Sequence, residues 1–279
     1  MFQTSTTRPR VKGSIIETTA PYFLALLAGL ALNVTSAQPV TLDISFGNAG
    51  IALTDIASSS DVPRGIIVQP DGKVLIAGST TAGSGGSIFL ARYLENGDPD
   101  PDFGVFGKVT TSLTNQSDAA MDLVKRPDGR SLAVGFSGGG NGITAVQYLA
   151  DGTVDVDFGT DGVATFQIGS SGMVRAGLTS TGQLICAARN GFTEDWQVVR
   201  FNPDGQLDPA FGEGGSRYID ASFGQVEYLE DPIVLADDRT LLIGTTVNAS
   251  QNPYTALGQL TPSGDLDPTF AIDGTALIN

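Results

Sequence analysis

Apolar residues recur along this chain in short runs whose pattern predicts β-strands. One kind of run is apolar throughout, which is typical of a strand covered on both faces, and the other alternates apolar with polar residues, which is typical of a half-exposed strand. The continuous runs are Val74–Gly78, Ser131–Gly135, Leu184–Ala188 and Thr240–Gly244, and the alternating runs are Leu90–Tyr93, Ala145–Tyr148, Val198–Phe201 and Leu257–Leu260. A Pro-Asp-Gly turn precedes two of the continuous runs and predicts a hairpin at each place.

A short phrase, with an aspartate three residues before a phenylalanine, occurs five times. The copies are Leu42–Gly47, Pro99–Gly104, Val154–Gly159, Leu207–Gly212 and Leu266–Ala271. Their phenylalanines stand 57, 55, 53 and 59 residues apart, and a period of that size indicates one supersecondary unit copied in tandem.

The repeat predicts an all-β fold. Four antiparallel strands per unit, each sheet covered on both faces, favour a β-propeller of four four-stranded blades; a β-solenoid, whose coils are usually shorter, is the alternative. We expect one domain from residue 38 to residue 279, because each copy buries its apolar face against a neighbour. The units are approximately 47–103, 104–158, 159–211 and 212–270.

One terminal strand is surplus in this arrangement. Residues 274–278 match residues 50–54, where the first strand of the first unit is expected, near 50–55. We expect the C-terminal strand, 274–278, to complete the last blade. The N-terminal strand then lies beside it as a clasp or covers a sheet edge that would otherwise invite pairing.

The first 37 residues have the layout of a secretory signal peptide. Arg8, Arg10 and Lys12 precede an apolar run at 22–32, and small residues lead up to Ala37. The run is short for a membrane span, which needs about 20 apolar residues, so an uncleaved anchor is the weaker alternative. We expect cleavage near Ala37 and a mature chain that is secreted, periplasmic or held at the cell surface, without insertion into the membrane.

Charge and composition exclude several classes of chemistry. The chain has 15 basic and 30 acidic residues, and its negative field repels phosphate backbones, so nucleic acid is not expected as a partner. It has no histidine, which removes histidine-based triads and histidine-ligated metals. Its one cysteine, Cys186, lies in a continuous apolar run and is expected to be a core residue.

Carboxylates are the reactive groups that remain. Asp98, Asp100 and Asp102 are closely spaced, as are Asp155 and Asp157, and their hard oxygens suit calcium, the one cofactor we consider. Paired carboxylates also cleave glycosides. The structural alternative is that each recurring aspartate accepts hydrogen bonds from its own turn.

Strand alternation separates two ends of the predicted blades. The phrases and hairpin turns share one end, and the loops that differ between units, 80–87, 137–142, 189–195 and 245–253, share the other. Binding residues tend to lie on such loops, so we expect any ligand there, with Phe192, Trp196 and Asn252 as candidates. A single tryptophan is also typical of a core plug between blades.

These motifs together resemble the delta-60 repeat family of bacterial exported proteins, which are predicted propellers. The resemblance rests on Leu42–Gly47, Gly50–Ala52, Gln69–Lys73 and Leu90–Tyr93, and it covers roughly residues 42 to 278. It implies a propeller fold and export, and it implies no settled reaction.

Two functions follow as hypotheses. The first is an exported, non-catalytic scaffold that binds an extracellular polymer, a peptide or a surface protein. The second is a carboxylate-dependent hydrolase or lyase that acts on extracellular polysaccharide. The absence of histidine and the recurrence of the acids favour the first, and an unrepeated acidic pair in a pocket would favour the second.

Overall fold

The computed structural model describes residues 41–57, 60–81, 85–140, 142–169, 172–221, 227–247 and 252–278. These residues form sixteen β-strands and no helix. The strands are β1 (Asp61–Val68), β2 (Val74–Thr80), β3 (Ser87–Tyr93), β4 (Lys108–Thr111), β5 (Ala119–Lys125), β6 (Ser131–Phe136), β7 (Gly142–Tyr148), β8 (Val163–Gln167), β9 (Val174–Leu178), β10 (Leu184–Arg189), β11 (Trp196–Phe201), β12 (Ser216–Ile219), β13 (Glu227–Val234), β14 (Thr240–Val247), β15 (Pro253–Leu260) and β16 (Thr275–Ile278).

Each run of four consecutive strands forms one antiparallel sheet, in sequence order. We call these sheets blades 1 to 4, beginning with β1–β4. The predicted β-propeller of four four-stranded blades is therefore confirmed. The first strands of successive blades (β1, β5, β9 and β13) lie next to one another, so they are the inner strands of the array.

Three apolar cores lie between successive blades. Leu90 and Phe103 of blade 1 pack with Leu123 and Val146 of blade 2, and equivalent clusters join blade 2 to blade 3 and blade 3 to blade 4. We call the face of a blade that lies toward the next blade its forward face, and the opposite face its rear face. The continuous apolar runs are the second strands, which contribute side chains to both faces, and this is why they lack alternation.

The phrase lies inside a blade, between its third and fourth strands, and this corrects one expectation. The strand after each phrase is the last strand of that blade, as β4 is in blade 1, whereas the sequence units treated it as the first strand of the next. Blades are therefore offset from the sequence units by one strand. Crossovers between blades lie at the end opposite the phrases.

The two termini of the repeat behave differently. β16 pairs with β15 and is the fourth strand of blade 4. Residues 50–55 do not form the predicted strand, since only isolated bridges involve Ile51. Instead, Ala52 and Ile56 pack on the rear face of blade 1. The predicted signal peptide, 1–37, lies outside the described residues.

Among the residues that the structure describes, no helix is long and apolar enough to cross a bilayer.

Candidate functional site

The phrase end of each blade contains a carboxylate with two side-chain donors. In blade 1, Asp100 Oδ2 accepts hydrogen bonds from Arg92 Nε at 2.7 Å and from Lys73 Nζ at 2.9 Å. Asp100 Oδ1 accepts the backbone N–H of Asp102 at 3.0 Å, which is the predicted turn geometry. Burial acts to raise the pKa of Asp100, but the bonds from Lys73, Asp102 and Arg92 hold it below its ordinary value.

The same network recurs with different donors. One donor always comes from the residue before the second strand, and the other comes from the third strand. Arg130 and Gln147 donate to Asp155, Gln183 and Arg200 donate to Asp208, and Arg239 and Gln259 donate to Asp267. Recurrence in all four blades marks these aspartates as part of the scaffold.

A guanidinium connects the phrase to the next blade. Arg92 lies over the Phe103 ring at 4.5 Å and donates to the carbonyl of Ala150 in blade 2. Arg200 repeats this arrangement over Phe211. In blade 2 the third strand has Gln147 at this position, and Arg126 instead lies over the phrase phenylalanine and donates to carbonyls of blade 3.

A calcium site at the phrases stays a prediction. Asp100 and Asp155 already accept cationic donors, and Asp98 Oδ2 accepts from Asn96 Nδ2 at 2.8 Å. Asp102 and Asp157 are exposed. This arrangement is the turn role that the sequence left as the alternative.

The loop end of blade 3 presents two exposed aromatic residues that bond to one buried amide. Asn190 follows β10 and is buried; its Oδ1 accepts the N–H of Phe192 at 2.9 Å, and its Nδ2 donates to the Tyr218 hydroxyl at 3.0 Å. The Phe192 ring is 82% exposed, with one edge against Gly169 of the preceding crossover. Tyr218 is 53% exposed. The hydrogen bonds of Asn190 fix the backbone that carries Phe192 and the hydroxyl of Tyr218, which lowers the ordering that a ligand would require.

Three carboxylates meet where blade 3 borders blade 4. Oxygens of Asp195, Asp220 and Glu227 lie within 4.8 Å of one another, and Glu227 is buried. They come from the β10–β11 loop, the end of β12 and the start of β13. Such a trio could hold a hard cation. The sequence analysis missed it because its members are far apart in the chain and belong to no repeated motif.

Trp196 and Asn252, the other two predicted ligand residues, lie in different surroundings. Trp196 is fully buried between blades 3 and 4, where a Cβ at Gly244 would lie 2.6 Å from its Cζ2 atom. The ring thus has the core role that the sequence offered as the alternative, and it has no face open to a ligand. Asn252 is exposed, at the loop end of blade 4.

The inner strands carry a second group of charges. Asp122, Arg175 and Asp231 occupy equivalent positions, opposite Val134, Ala187 and Ile243 of their second strands. Burial raises the pKa of both Asp122 and Asp231, while Arg175 favours their charged forms.

Asp122 also connects two blades. Its Oδ2 accepts the N–H of Ala176 in blade 3 at 2.9 Å, and Arg175 Nη1 donates to the Met121 carbonyl at 2.6 Å. This pair satisfies polar backbone groups on the inner edges of the two sheets.

Comparison with known proteins supports the repeat architecture. The family model described as a domain of unknown function (DUF5122) β-propeller matches residues 69–103, 190–211 and 235–270, about a third of the chain. The chain therefore carries β-propeller repeats, and the narrower delta-60 assignment stays a prediction. No curated protein shows significant sequence similarity to the chain.

Several solved structures align with it at low identity. A protein of unknown function from Dyadobacter fermentans is 14% identical, with 77% of this chain and 63% of that chain covered and a TM-score of 0.45. The GH43 endo-arabinanase from Bacillus licheniformis is 13% identical, with 82% and 83% covered and a TM-score of 0.43. An exo-β-1,3-galactanase from Phanerochaete chrysosporium is 10% identical, with 75% and 50% covered and a TM-score of 0.40. We transfer no activity from these structures to this chain.

Proposed function

We propose that this chain is an exported, non-catalytic β-propeller scaffold that binds an extracellular polymer through the loop end of blade 3. The observation that supports this most is a pair of exposed aromatic residues that share the buried amide of Asn190, which contacts the Phe192 backbone N–H and the Tyr218 hydroxyl. A large exposed aromatic ring gains little for folding, whereas it offers a rigid apolar face to a ligand.

The chemistry of this surface favours a neutral glycan as the polymer. Aromatic rings stack on the apolar faces of sugars, and the carboxylates of Asp195 and Asp220, at the same end of blade 3, are acceptors for hydroxyl groups. The net charge of -15 disfavours anionic polymers. A peptide or a surface protein with exposed hydroxyl or basic groups is the alternative ligand.

The binding test compares two exposed phenylalanines at opposite ends of the blades. Phe192 is 82% exposed at the loop end, and Phe106 is 79% exposed beside a phrase. On an array of neutral and anionic glycans, we expect Phe192→Ala to weaken binding at least about tenfold, a loss of about 1.4 kcal/mol. Phe106→Ala should bind like the unchanged chain.

Equal loss in the two variants, or no loss in Phe192→Ala, would contradict the proposed site. Tyr218→Phe refines the result, because it keeps the ring and removes only the hydroxyl that Asn190 contacts.

Export has its own test. In the native host, mass spectrometry should find a mature N-terminus near Gln38, as the signal-peptide layout predicts. A chain that keeps Met1 would contradict the proposed export. It would not contradict the proposed binding site, which is tested separately.

A hydrolase is the second candidate, and one observation favours it. Asp122 and Asp231 occupy equivalent inner-strand positions of blades 2 and 4, burial raises the pKa of each, and a general acid needs a carboxyl group whose pKa is raised. Both oxygens of Asp122 accept backbone N–H groups, from Ala176 and Leu123, which favours a structural role for that acid. Release of reducing ends by the unchanged chain, but not by Asp231→Asn, would support the hydrolase.

A further inference from the structure

The forward face of blade 4 exposes positions that are buried in the other three blades. Ile243 of the second strand is 36% exposed, whereas its equivalents Ala77, Val134 and Ala187 are completely buried. Leu257, which pairs with Ile243, is half-buried, and Ile233 of the inner strand is 48% exposed. In the other blades this face is covered by the next blade.

The rear face of blade 1 has a matching open part. Ile66 and Val68 are 66% and 70% exposed, whereas Leu123, which has the place of Ile66 in blade 2, is buried against blade 1. The outer part of this rear face is closed, because Ala52 and Ile56 pack on Phe89 and Tyr93. Of this face, the described residues leave the inner strand of blade 1 open.

The phrases show that the two ends of the array differ. The phrase glycine donates its N–H to a turn carbonyl of the following blade four times, over 2.7 to 2.8 Å. The pairs are Gly47 with Asn96, Gly104 with Asp151, Gly159 with Asp204, and Gly212 with Ser263. Residues 42–47 thus give blade 1 the contact that a preceding blade would give.

Within the described residues, no blade follows the last phrase. Phe270 is half-buried, whereas Phe103, Phe158 and Phe211 are buried under a turn glycine of the next blade. Blade 4 consequently presents an interblade surface that the described residues leave uncovered.

A polar contact is also left available on the same surface. Asp122 on the forward side of blade 2 binds the N–H of Ala176 in blade 3. Asp231 is the equivalent of Asp122, and Ile66 of blade 1 is the equivalent of Ala176, because each pair occupies the same register positions. Asp231 is exposed on blade 4, and the exposed cation Arg64 lies two residues before Ile66 on β1.

We propose that two copies of this chain associate head to tail, with the forward face of blade 4 of one copy packed on the inner strand of blade 1 of the other. The contact repeats the forward-on-rear packing that joins blades 1 to 4. It covers Ile233, Ile243 and Leu257 with Ile66 and Val68, and it brings Asp231 to the Ile66 N–H and to Arg64. Surfaces of this heterologous kind close into a ring when the rotation permits.

Oligomeric state gives the first test. We expect light scattering on the purified chain to give twice the mass of one chain, and Ile243→Asp to raise the dimer dissociation constant at least about tenfold. Val156→Asp is the matched control, because Val156 is an exposed aliphatic residue at the phrase end and should leave the dimer intact. A monomer at every concentration would overturn the proposal.

Cysteine cross-linking then identifies the surfaces. Oxidising a mixture of Ile66→Cys and Ile243→Cys chains should give a covalent dimer that neither variant gives alone. The native Cys186 does not compete, because it is buried and burial raises its pKa. A third chain carries both substitutions, and a disulfide within that single chain would mean that its own blades 1 and 4 pack on each other. A covalent homodimer of the Ile243→Cys chain would mean that two blade 4 faces pair. Either result would overturn the proposal.

Discussion

The two ends of the blades are built differently. At the phrase end, every blade repeats one arrangement, in which an aspartate accepts two side-chain donors, and in blades 1 to 3 a phenylalanine is covered by the next blade. At the loop end, the described loops differ from blade to blade, and blade 3 presents the exposed ring of Phe192. The comparison teaches that the recurring residues are explained by contacts within and between blades, whereas Phe192, which occurs once, lies exposed where a ligand can reach it.

The largest effect should come from a phrase phenylalanine. Phe211 is buried between blades 3 and 4 and lies under Arg200, so we expect Phe211→Ala to lower the free energy of unfolding by about 3–5 kcal/mol. Urea denaturation followed by fluorescence measures this change.

Phe270→Ala is the matched control for that measurement. It removes the same side chain from the same motif, but Phe270 is only half-buried. The decrease in the free energy of unfolding should therefore be clearly smaller than for Phe211→Ala. Equal losses would mean that the last phrase is covered as well as the others.

A smaller loss is expected for a phrase carboxylate. Asp155→Ala removes the acceptor of Arg130 and Gln147 and leaves the Gln147 amide buried, which should cost about 1–3 kcal/mol. Asp157→Ala, two residues away and exposed, should change stability by less than about 0.5 kcal/mol. If the two variants were equally stable, the recurring aspartate would not be a structural element.

The sequence predicted the strands and the repeat well, because continuous apolar runs and tight turns are local signals. It placed the blade boundaries one strand too early, because we took each phrase as the start of a unit. A repeat gives the length of the unit, but it does not show at which strand the chain passes from one sheet to the next. The core role of Trp196 in blade 3 depends on Gly244 and Gly258 of blade 4, because the absence of their side chains makes room for its ring. The acid trio of Asp195, Asp220 and Glu227 has no local signal at all.

The pH dependence of stability should separate two kinds of aspartate. The pKa of Asp155 is lowered in the folded protein, so its contribution is present above the unfolded value near 4 and is lost as the pH falls through the folded value. The pKa of Asp122 is raised by burial, so its ionisation costs stability as the pH rises above 4.

Thermal melts between pH 3 and pH 7 measure both effects through asparagine variants. The stability gap between the unchanged chain and Asp155→Asn should narrow below about pH 4. For Asp122→Asn, the melting temperature of the unchanged chain should rise relative to that of the variant as the pH falls from 7 to 4. If the melting temperatures of the two variants followed the pH in the same way, the opposite pKa shifts of Asp155 and Asp122 would be contradicted.

The smallest change in stability should come from the exposed phenylalanines, one at each end of the blades. Phe192 and Phe106 are exposed to a similar degree, so replacing either with alanine should change the free energy of unfolding by less than about 0.5 kcal/mol. This near-equality makes the pair informative for binding, because a loss seen only in Phe192→Ala then reflects the missing ring and not a weakened fold. If Phe192→Ala instead lowered stability by more than about 1 kcal/mol, its contact with Gly169 would be structural and the loop end would not be a free binding surface.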